Sequence, residues 1–527
     1  MGEARDDADV SWDERGPLSL PVDSTGVPRL DQVLGGGIPR GSLLMVVGPP
    51  GSGKTTLATQ MAFAAARAGR GALILTALSE PTSKLIAHLR AFRFFDETLI
   101  GGPVRILSLE QFLPGGLTST AEELLAMARE TRAGLVLLDG FRGVRGVDVN
   151  AQAARQFLYD VGGALSAHGT TAIITSEVEP RDPAFFPEET VADAIVGLHY
   201  RLDGVRQRRG IEAIKVRGAA PLPGLHGLVL GDDGAAVYPR LEARVVVASQ
   251  GDVAATTTAR LSSGIPALDA LLDGGLTTAT TTLVAGSIGV GKTLLGLHFL
   301  RAGLRAGESA VFVGFRETRD QLLLKAAILA DGVELRAALE PGGGLTLLQW
   351  APVELDPDVV ADEILAALDR TGARRLVLDS VAELERAVGA ADPRRVDEYL
   401  AALVVALRAR GVTTLAIKEV RQTLVEAPEY LADSVALVAD NVIMLQQVVR
   451  DDRLRRMLVV VKMRFSAHEV ALREYRIAAP HGIDIQPALP GAPTVGATAG
   501  LPDAEDSGQE RDSGRTHGRR ARDEHGA

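Results

Sequence analysis

Gly48-Pro-Pro-Gly-Ser-Gly-Lys-Thr55 follows the apolar run Leu43-Leu-Met-Val-Val47. Gly286-Ser-Ile-Gly-Val-Gly-Lys-Thr293 follows a similar run, 238 residues later when counted from Lys54 to Lys292. Each octapeptide fits Gly-x-x-x-x-Gly-Lys-Thr in the setting this pattern requires, between a strand and a helix. Glycines let the backbone wrap closely, so that its N–H groups converge on phosphate oxygens. The helix that follows adds the positive end of its dipole. The candidate phosphate-binding residues are Gly48, Gly51, Ser52, Gly53, Lys54, Thr55 and Thr56 in the front loop. In the rear loop they are Gly286, Gly289, Val290, Gly291, Lys292, Thr293 and Leu294. Lys54 and Lys292 are expected to reach the β and γ phosphates of ATP, and the Thr55 and Thr293 hydroxyls to complete part of a magnesium (Mg2+) shell. The bland reading, a glycine turn before a helix with an incidental lysine, would have to be true twice.

The repetition extends beyond the loops. Ser24-Thr-Gly-Val-Pro-Arg-Leu-Asp31 reads almost like Ser262-Ser-Gly-Ile-Pro-Ala-Leu-Asp269, and Gly35 to Gly37 answer to Gly274 and Gly275. Glu80 then pairs with Glu317, Asp139 with Asp379 and Lys215 with Lys462, at offsets of 237, 240 and 247. Landmarks in one order with slowly growing offsets mark two similar domains, expected at residues 20–245 and 258–490. A linker at 246–257, a disordered N-terminal segment at 1–19 and a disordered tail at 491–527 complete the division. The tail is rich in Pro, Gly, Asp, Arg and Ser, which cannot offset the entropy of ordering.

Within each repeat, short apolar runs alternate with helical stretches. Leu43–Val47, Leu73–Ala77, Leu135–Leu138 and Thr171–Ile174 read as strands, with helices at 55–68, 122–132 and 151–167. In the rear half the strand candidates are 282–285, 310–313, 376–378 and 414–417. This pattern predicts an α/β fold in which each domain is a mostly parallel sheet flanked by helices. Asp139 and Asp379 end strands, where a carboxylate beside the phosphate loop holds magnesium directly or through water. An aspartate that merely opens a turn is the plainer alternative.

Composition sets limits. The 527 residues include no cysteine, which excludes disulfides, thiolate metal sites and a cysteine nucleophile. A net charge of -11 argues against a protein whose main task is gripping nucleic acid. No secretory leader pattern and no run of 18 apolar residues is found, so the cytoplasm is the expected location.

Hydrolysis needs a group that orients water in line with the γ phosphate. Glu80 and Glu317 follow the second strand of each repeat and are the candidates; a solvated loop glutamate is the alternative. Ser79 and Arg316 precede them. Serine is a poor base, and arginine would add positive charge near phosphates without aiding water. Late in each repeat, Lys215 with Arg217 and Lys462 with Arg464 sit two apart in a strand and so share a face. Such a basic prong can neutralise phosphates held by an adjacent subunit, or simply guard a solvated edge strand. Arg206, Arg208 and Arg209, and Arg453, Arg455 and Arg456, form denser patches just before.

These features together resemble the KaiC family of RecA-like ATPases, over residues 20–486. The segment Thr25–Asp31 with its glycines, both phosphate loops, the strand-end aspartates, the Lys-x-Arg prongs and Glu469–Ile477 carry the resemblance. It implies two tandem RecA-like P-loop domains, ATP between the subunits of a homohexamer, and prongs reaching a neighbour's nucleotide. Three departures stand out. The family's Glu-Glu pair is Ser79-Glu80 and Arg316-Glu317. Its glycine after Lys-x-Arg is kept as Gly218 but becomes Phe465. Ala436 and Leu437 occupy the place of an adjacent serine–threonine pair, with Ser434 close by, so clock-type autophosphorylation is not expected. The leading expectation is an ATP-binding, slowly hydrolysing ring protein in regulation or signalling, with unidentified protein partners. A non-hydrolysing ATP-gated scaffold, a RecA-like DNA-binding ATPase and a protein serine/threonine kinase remain as alternatives.

Overall fold

The computed structural model describes residues 21–76, 81–112, 116–140, 151–181, 191–203, 205–248, 259–329, 332–420, 434–450, 452–469 and 471–487. Each half is built outward from one strand, β1 (Leu43–Val47) in front, all five of whose residues are buried. It is joined through the loop to α1 (Lys54–Arg67). The parallel neighbours are β2 (Gly71–Thr76), β3 (Val104–Ser108), β4 (Ala133–Asp139) and β5 (Thr171–Ser176). A long hairpin, β6 (Ala194–Asp203) and β7 (Arg206–Val216), and a shorter one, β8 (His226–Gly231) and β9 (Gly234–Tyr238), extend the sheet. The order across it is β9-β8-β7-β6-β1-β5-β4-β2-β3. Pairing is parallel from β6 through β3 and antiparallel from β6 through β9.

The rear half repeats this with β10 (Thr281–Gly286), β11 (Ala310–Gly314), β12 (Leu345–Gln349), β13 (Arg375–Asp379), β14 (Thr413–Glu419), β15 (Asn441–Arg450), β16 (Arg453–Met463), β17 (Arg473–Ala478) and β18 (Gly482–Ile485). Its order, β12-β11-β13-β14-β10-β15-β16-β17-β18, is the same topology. These are two tandem RecA-like domains, each a mixed, mostly parallel sheet flanked by helices.

The continuous apolar runs follow from burial on both faces. Alternate residues of a strand point to opposite sides, so Ile74 and Leu137 pack with Leu57 and Met61 of α1. Leu73, Leu75, Val136 and Leu138 face the other way, against Leu124 of α2 (Gly116–Glu130) and Leu158 and Leu165 of α3 (Ala151–Ala167). The helix expected from residue 122 thus begins at Gly116. Thr120 Oγ1 bonds the carbonyls of Phe112 and Gly116, both at 2.9 Å, and seats this first turn.

The opening repeat motif is a folded turn. Asp31 accepts from Ser24 Oγ at 2.6 Å and from Thr25 N at 2.8 Å. Asp269 does the same for Ser262 Oγ and Ser263 N, at 2.5 and 2.7 Å. Between them Gly26 holds φ +65°, and a Cβ there would stand 2.2 Å from that of Ala64 in α1.

The halves meet through α4 (Leu241–Ala248), which closes the front half. Glu242 accepts from Arg395 Nε and NH2 at 2.8 and 3.0 Å. Asp358, in α5 (Pro357–Thr371) of the rear half, takes Arg395 NH2 at 3.2 Å and the Leu241 N–H at 3.2 Å. Burial pushes Asp358 up to about 6, against the pull of Arg395. Among the described residues no helix is long and apolar enough to cross a membrane.

His298 lies in α6 (Lys292–Arg305), 2% exposed, and its Nε2 accepts the Ile483 N–H at 3.1 Å. Burial and the nearby Arg301 depress it to about 4. A histidine depressed on folding contributes stability that is present above its ordinary value near 6.5 and is lost as pH falls toward 4. At pH 4.5 the loss should be about 2–3 kcal/mol, at 1.36 kcal/mol per unit. Urea unfolding at pH 7.5 and 4.5 checks this, since His298→Asn should lose that share of the acid sensitivity.

Candidate functional site

The phosphate loops leave the carboxyl ends of β1 and β10, the central parallel strands. Close packing dictates their glycines. A Cβ on Gly48 would lie 2.5 Å from the Leu198 carbonyl oxygen of β6, and one on Gly286 would lie 2.0 Å from that of Leu445. Gly51 and Gly53 hold φ +77° and +102°, and Gly289 and Gly291 hold +75° and +99°. These are left-handed conformations that strain other residues. Ser52 is buried with its Oγ unpartnered, while Thr56 is half-buried and Leu294 buried in the helix starts.

Lys54, 8% exposed, donates to the carbonyls of Gly48 and Pro49 at 2.9 and 3.0 Å. Lys292 donates to Gly286 and Ser287 at 2.9 and 2.7 Å. Burial lowers both lysines below the usual range, opposed by Glu177, Asp139 and Glu179 in front and by Glu419 and Asp379 behind. A desolvated ammonium held against loop carbonyls is poised to exchange them for a stronger anionic partner.

The two strand-end aspartates meet the loop threonines. Thr55 Oγ1 lies 3.1 and 3.0 Å from the oxygens of Asp139, and Thr293 Oγ1 donates to Asp379 Oδ2 at 2.7 Å. Thr175 at the end of β5 adds a 2.6 Å bond to Asp139. Burial pushes Asp379 up, with the Thr293 hydroxyl opposing and Glu317 adding to the rise. A hydroxyl and a carboxylate converging beside a phosphate loop form a hard-oxygen donor set that fits magnesium.

Glu80 lies outside the described residues, as does Ser79. Glu317 is placed near Asp379 and is ion-paired with Lys325. Arg316 does not stand as a free charge by the loop. Its Nε donates to buried Glu383 at 2.7 Å, and Glu419 lies 4.0 Å from its NH1. Arg386 adds a second bond to Glu383 at 2.7 Å. Of the autophosphorylation positions, Ala436 is buried and Leu437 is exposed.

The basic prongs sit at the other end of the sheet. Lys215 Nζ donates to the Ala192 carbonyl at 2.6 Å, and Arg217 NH1 pairs with Asp193 at 3.1 Å. Asp193 also takes the N–H of Leu43, the first residue of β1, at 3.0 Å. Lys462 donates to Ala436 and Ala439 at 3.2 and 2.7 Å, and Arg464 lies 3.7 Å from Asp440, which takes the Thr281 N–H at the start of β10. The prongs and their own loops therefore lie at opposite ends of the central strand. β7 and β16 are interior strands, but their pairing with β8 and β17 ends before Lys215 and Lys462. The arginine patches have partners: Arg206 reaches Glu354 of the rear half at 3.6 Å, Arg209 lies over the Tyr200 ring and donates to the Gly51 carbonyl of the front phosphate loop at 3.4 Å, and Arg455 bonds Glu474 at 2.8 Å.

Several contributors were not singled out from sequence. Glu177 and Glu419, just past or at the ends of β5 and β14, face the loop lysines, and the strand-end logic that flagged Asp139 applies to them too. Tyr475 is another, its Oη donating to the Val290 carbonyl in the rear loop at 2.5 Å. Burial raises Tyr475 well above the ordinary tyrosine range, so it stays a donor.

A family model described as the KaiC ATPase matches residues 23–242 and 261–489. Curated relatives include circadian clock oscillator proteins KaiC of Picosynechococcus sp. and KaiC 1 of Synechocystis sp., at 27% and 28% identity, each alignment covering 86% of this chain and 87% of the relative. Circadian clock protein KaiC3 of Synechocystis sp. is 26% identical over 86% of this chain and 89% of its own.

Tyr475→Phe should leave the Val290 carbonyl buried without its partner, at a cost of about 1–3 kcal/mol. Denaturant unfolding of the full chain measures the loss. An unchanged midpoint would mean that this bond does not hold the rear loop.

Proposed function

The chain belongs to the KaiC family of ATPases, and from that premise we propose that it is an ATP-binding, slowly hydrolysing protein that assembles as a homohexameric ring and serves regulation or signalling in the cytoplasm. The family implies nucleotide binding. We assign the phosphates to the two loops, with Lys54 and Lys292 on the β and γ groups. Magnesium would be held by Thr55 with Asp139 and by Thr293 with Asp379, and when bound it would neutralise charge on the β and γ oxygens. Glu80 and Glu317 are the proposed water-positioning carboxylates. Water attacks the γ phosphorus in line, the bond to the β–γ bridging oxygen breaks, ADP leaves with the electron pair, and the water's protons pass to phosphate or solvent.

The observation that carries the ring is the separation of the prongs from their own loops. Lys215 and Arg217 are tied to the start of β1, while the front loop leaves its far end. A strand of five residues advances about 15 Å. A cation so placed lies away from its own loop and can serve a phosphate on another copy, through a head-to-tail contact that closes on itself. Lys462 and Arg464 repeat the arrangement behind. Nucleotide held at such a boundary links occupancy to assembly. With Ala436 and Leu437 in place, neither position offers a hydroxyl to phosphorylate.

Sizing of the full chain with and without magnesium and ATP, alongside phosphate release, tests this. Larger particles are expected with ATP, with two nucleotides per chain, one lost in Lys54→Ala and one in Lys292→Ala. Arg217→Ala should keep nucleotide at its own loop yet weaken assembly at least severalfold. Arg217→Ala that assembled normally would remove the ring argument. Release at many turnovers per second would overturn slow hydrolysis.

A further inference from the structure

The rear site contains a cation placed to act on its own carboxylate. Glu317 is followed by the helix α7 (Arg319–Ala326), which opens with a reciprocal cap between Thr318 and Gln321. That cap fixes the first turn, and the last turn carries Lys325. The Lys325 ammonium is ion-paired with Glu317 Oε1. The second oxygen, Oε2, is buried and has no hydrogen-bond partner. Lys325 also bears on the phosphate loop itself, its positive charge acting on both Lys292 and Asp379. Glu317, Lys325, Asp379 and Lys292 are therefore one electrostatic group. Arg316, the other cation beside Glu317, is turned to Glu383.

A carboxylate orients a water by offering it a lone pair. At Glu317 one oxygen is occupied by an ammonium and the other is enclosed. We propose that Lys325 is a positioning residue that brakes hydrolysis in the rear half, by holding Glu317 in an ion pair and away from the water that attacks the γ phosphate. The front half carries His88 at the corresponding place, at the same offset that relates Glu80 to Glu317, so this lysine belongs to one site only. The inference rests on the reading above that the rear loop holds nucleotide and that Glu317 positions water. An exposed ion pair with no such role contributes little to stability and leaves rates alone.

The test uses the full chain carrying Lys54→Ala, so that only the rear loop holds nucleotide. Affinity for a fluorescent ATP analogue is measured first, then single-turnover phosphate release from ATP. Lys325→Gln should raise the release rate about tenfold, a modest part of the 10²–10⁴ that general-base positioning supplies, with affinity unchanged within about twofold. Adding Glu317→Gln should cancel the gain, and Lys325→Arg, which keeps the ion pair, should stay slow. A Lys325→Gln rate that is unchanged or lower, or a gain that survives Glu317→Gln, overturns the proposal while nucleotide binding stands. No nucleotide on the rear loop before any change at Lys325 would overturn both readings together.

Discussion

The central strand of each half is buried on both faces and clamped between parallel neighbours, and everything functional hangs from its two ends. At the carboxyl end there is no room for a side chain on Gly48 or Gly286. The backbone must turn there against the carbonyl of β6 or β15. At the amino end an aspartate takes the first N–H of the strand and a basic residue of the hairpin at once. Parallel pairing fixes which loops share an end. Asp139, Thr175 and the acidic residues after β5 must lie by the phosphate loop, and Lys215 and Arg217 must lie away from it.

Much of this was legible in the sequence because it is local. A buried strand flanked by a glycine-rich loop and a helix declares itself within twenty residues, and the repeat made each reading in one half checkable in the other. Asp31 and Asp269 could be matched because a turn closed by one carboxylate needs the same residue types at the same spacing. The start of α2 was missed by six residues. Gly116-Leu-Thr-Ser-Thr is weak in helix formers, and Thr120 seats that turn by bonds that local propensity does not contain.

What the sequence did not show depends on strand order. Glu177 and Glu419 matter because β5 and β14 lie next to the central strands, and nothing in a single run of residues says so. Tyr475 reaches Val290 across 185 positions. The partner of Arg316 was hidden for the same reason. Read beside Glu317, this arginine is a positive charge at the phosphates, but in the fold a buried carboxylate 67 positions away takes its guanidinium.

The two halves thus share a scaffold but not an electrostatic setting, and a buried ion network holds them to one another. Arg395 lies between Glu242 of the front half and Asp358 of the rear. Such a network is weak evidence for stability, because desolvating the ions offsets most of their attraction. Its effect is on movement. Sliding α4 along the rear half would leave Glu242, Asp358 or Arg395 buried without a partner, so small displacements at this contact are steeply unfavourable.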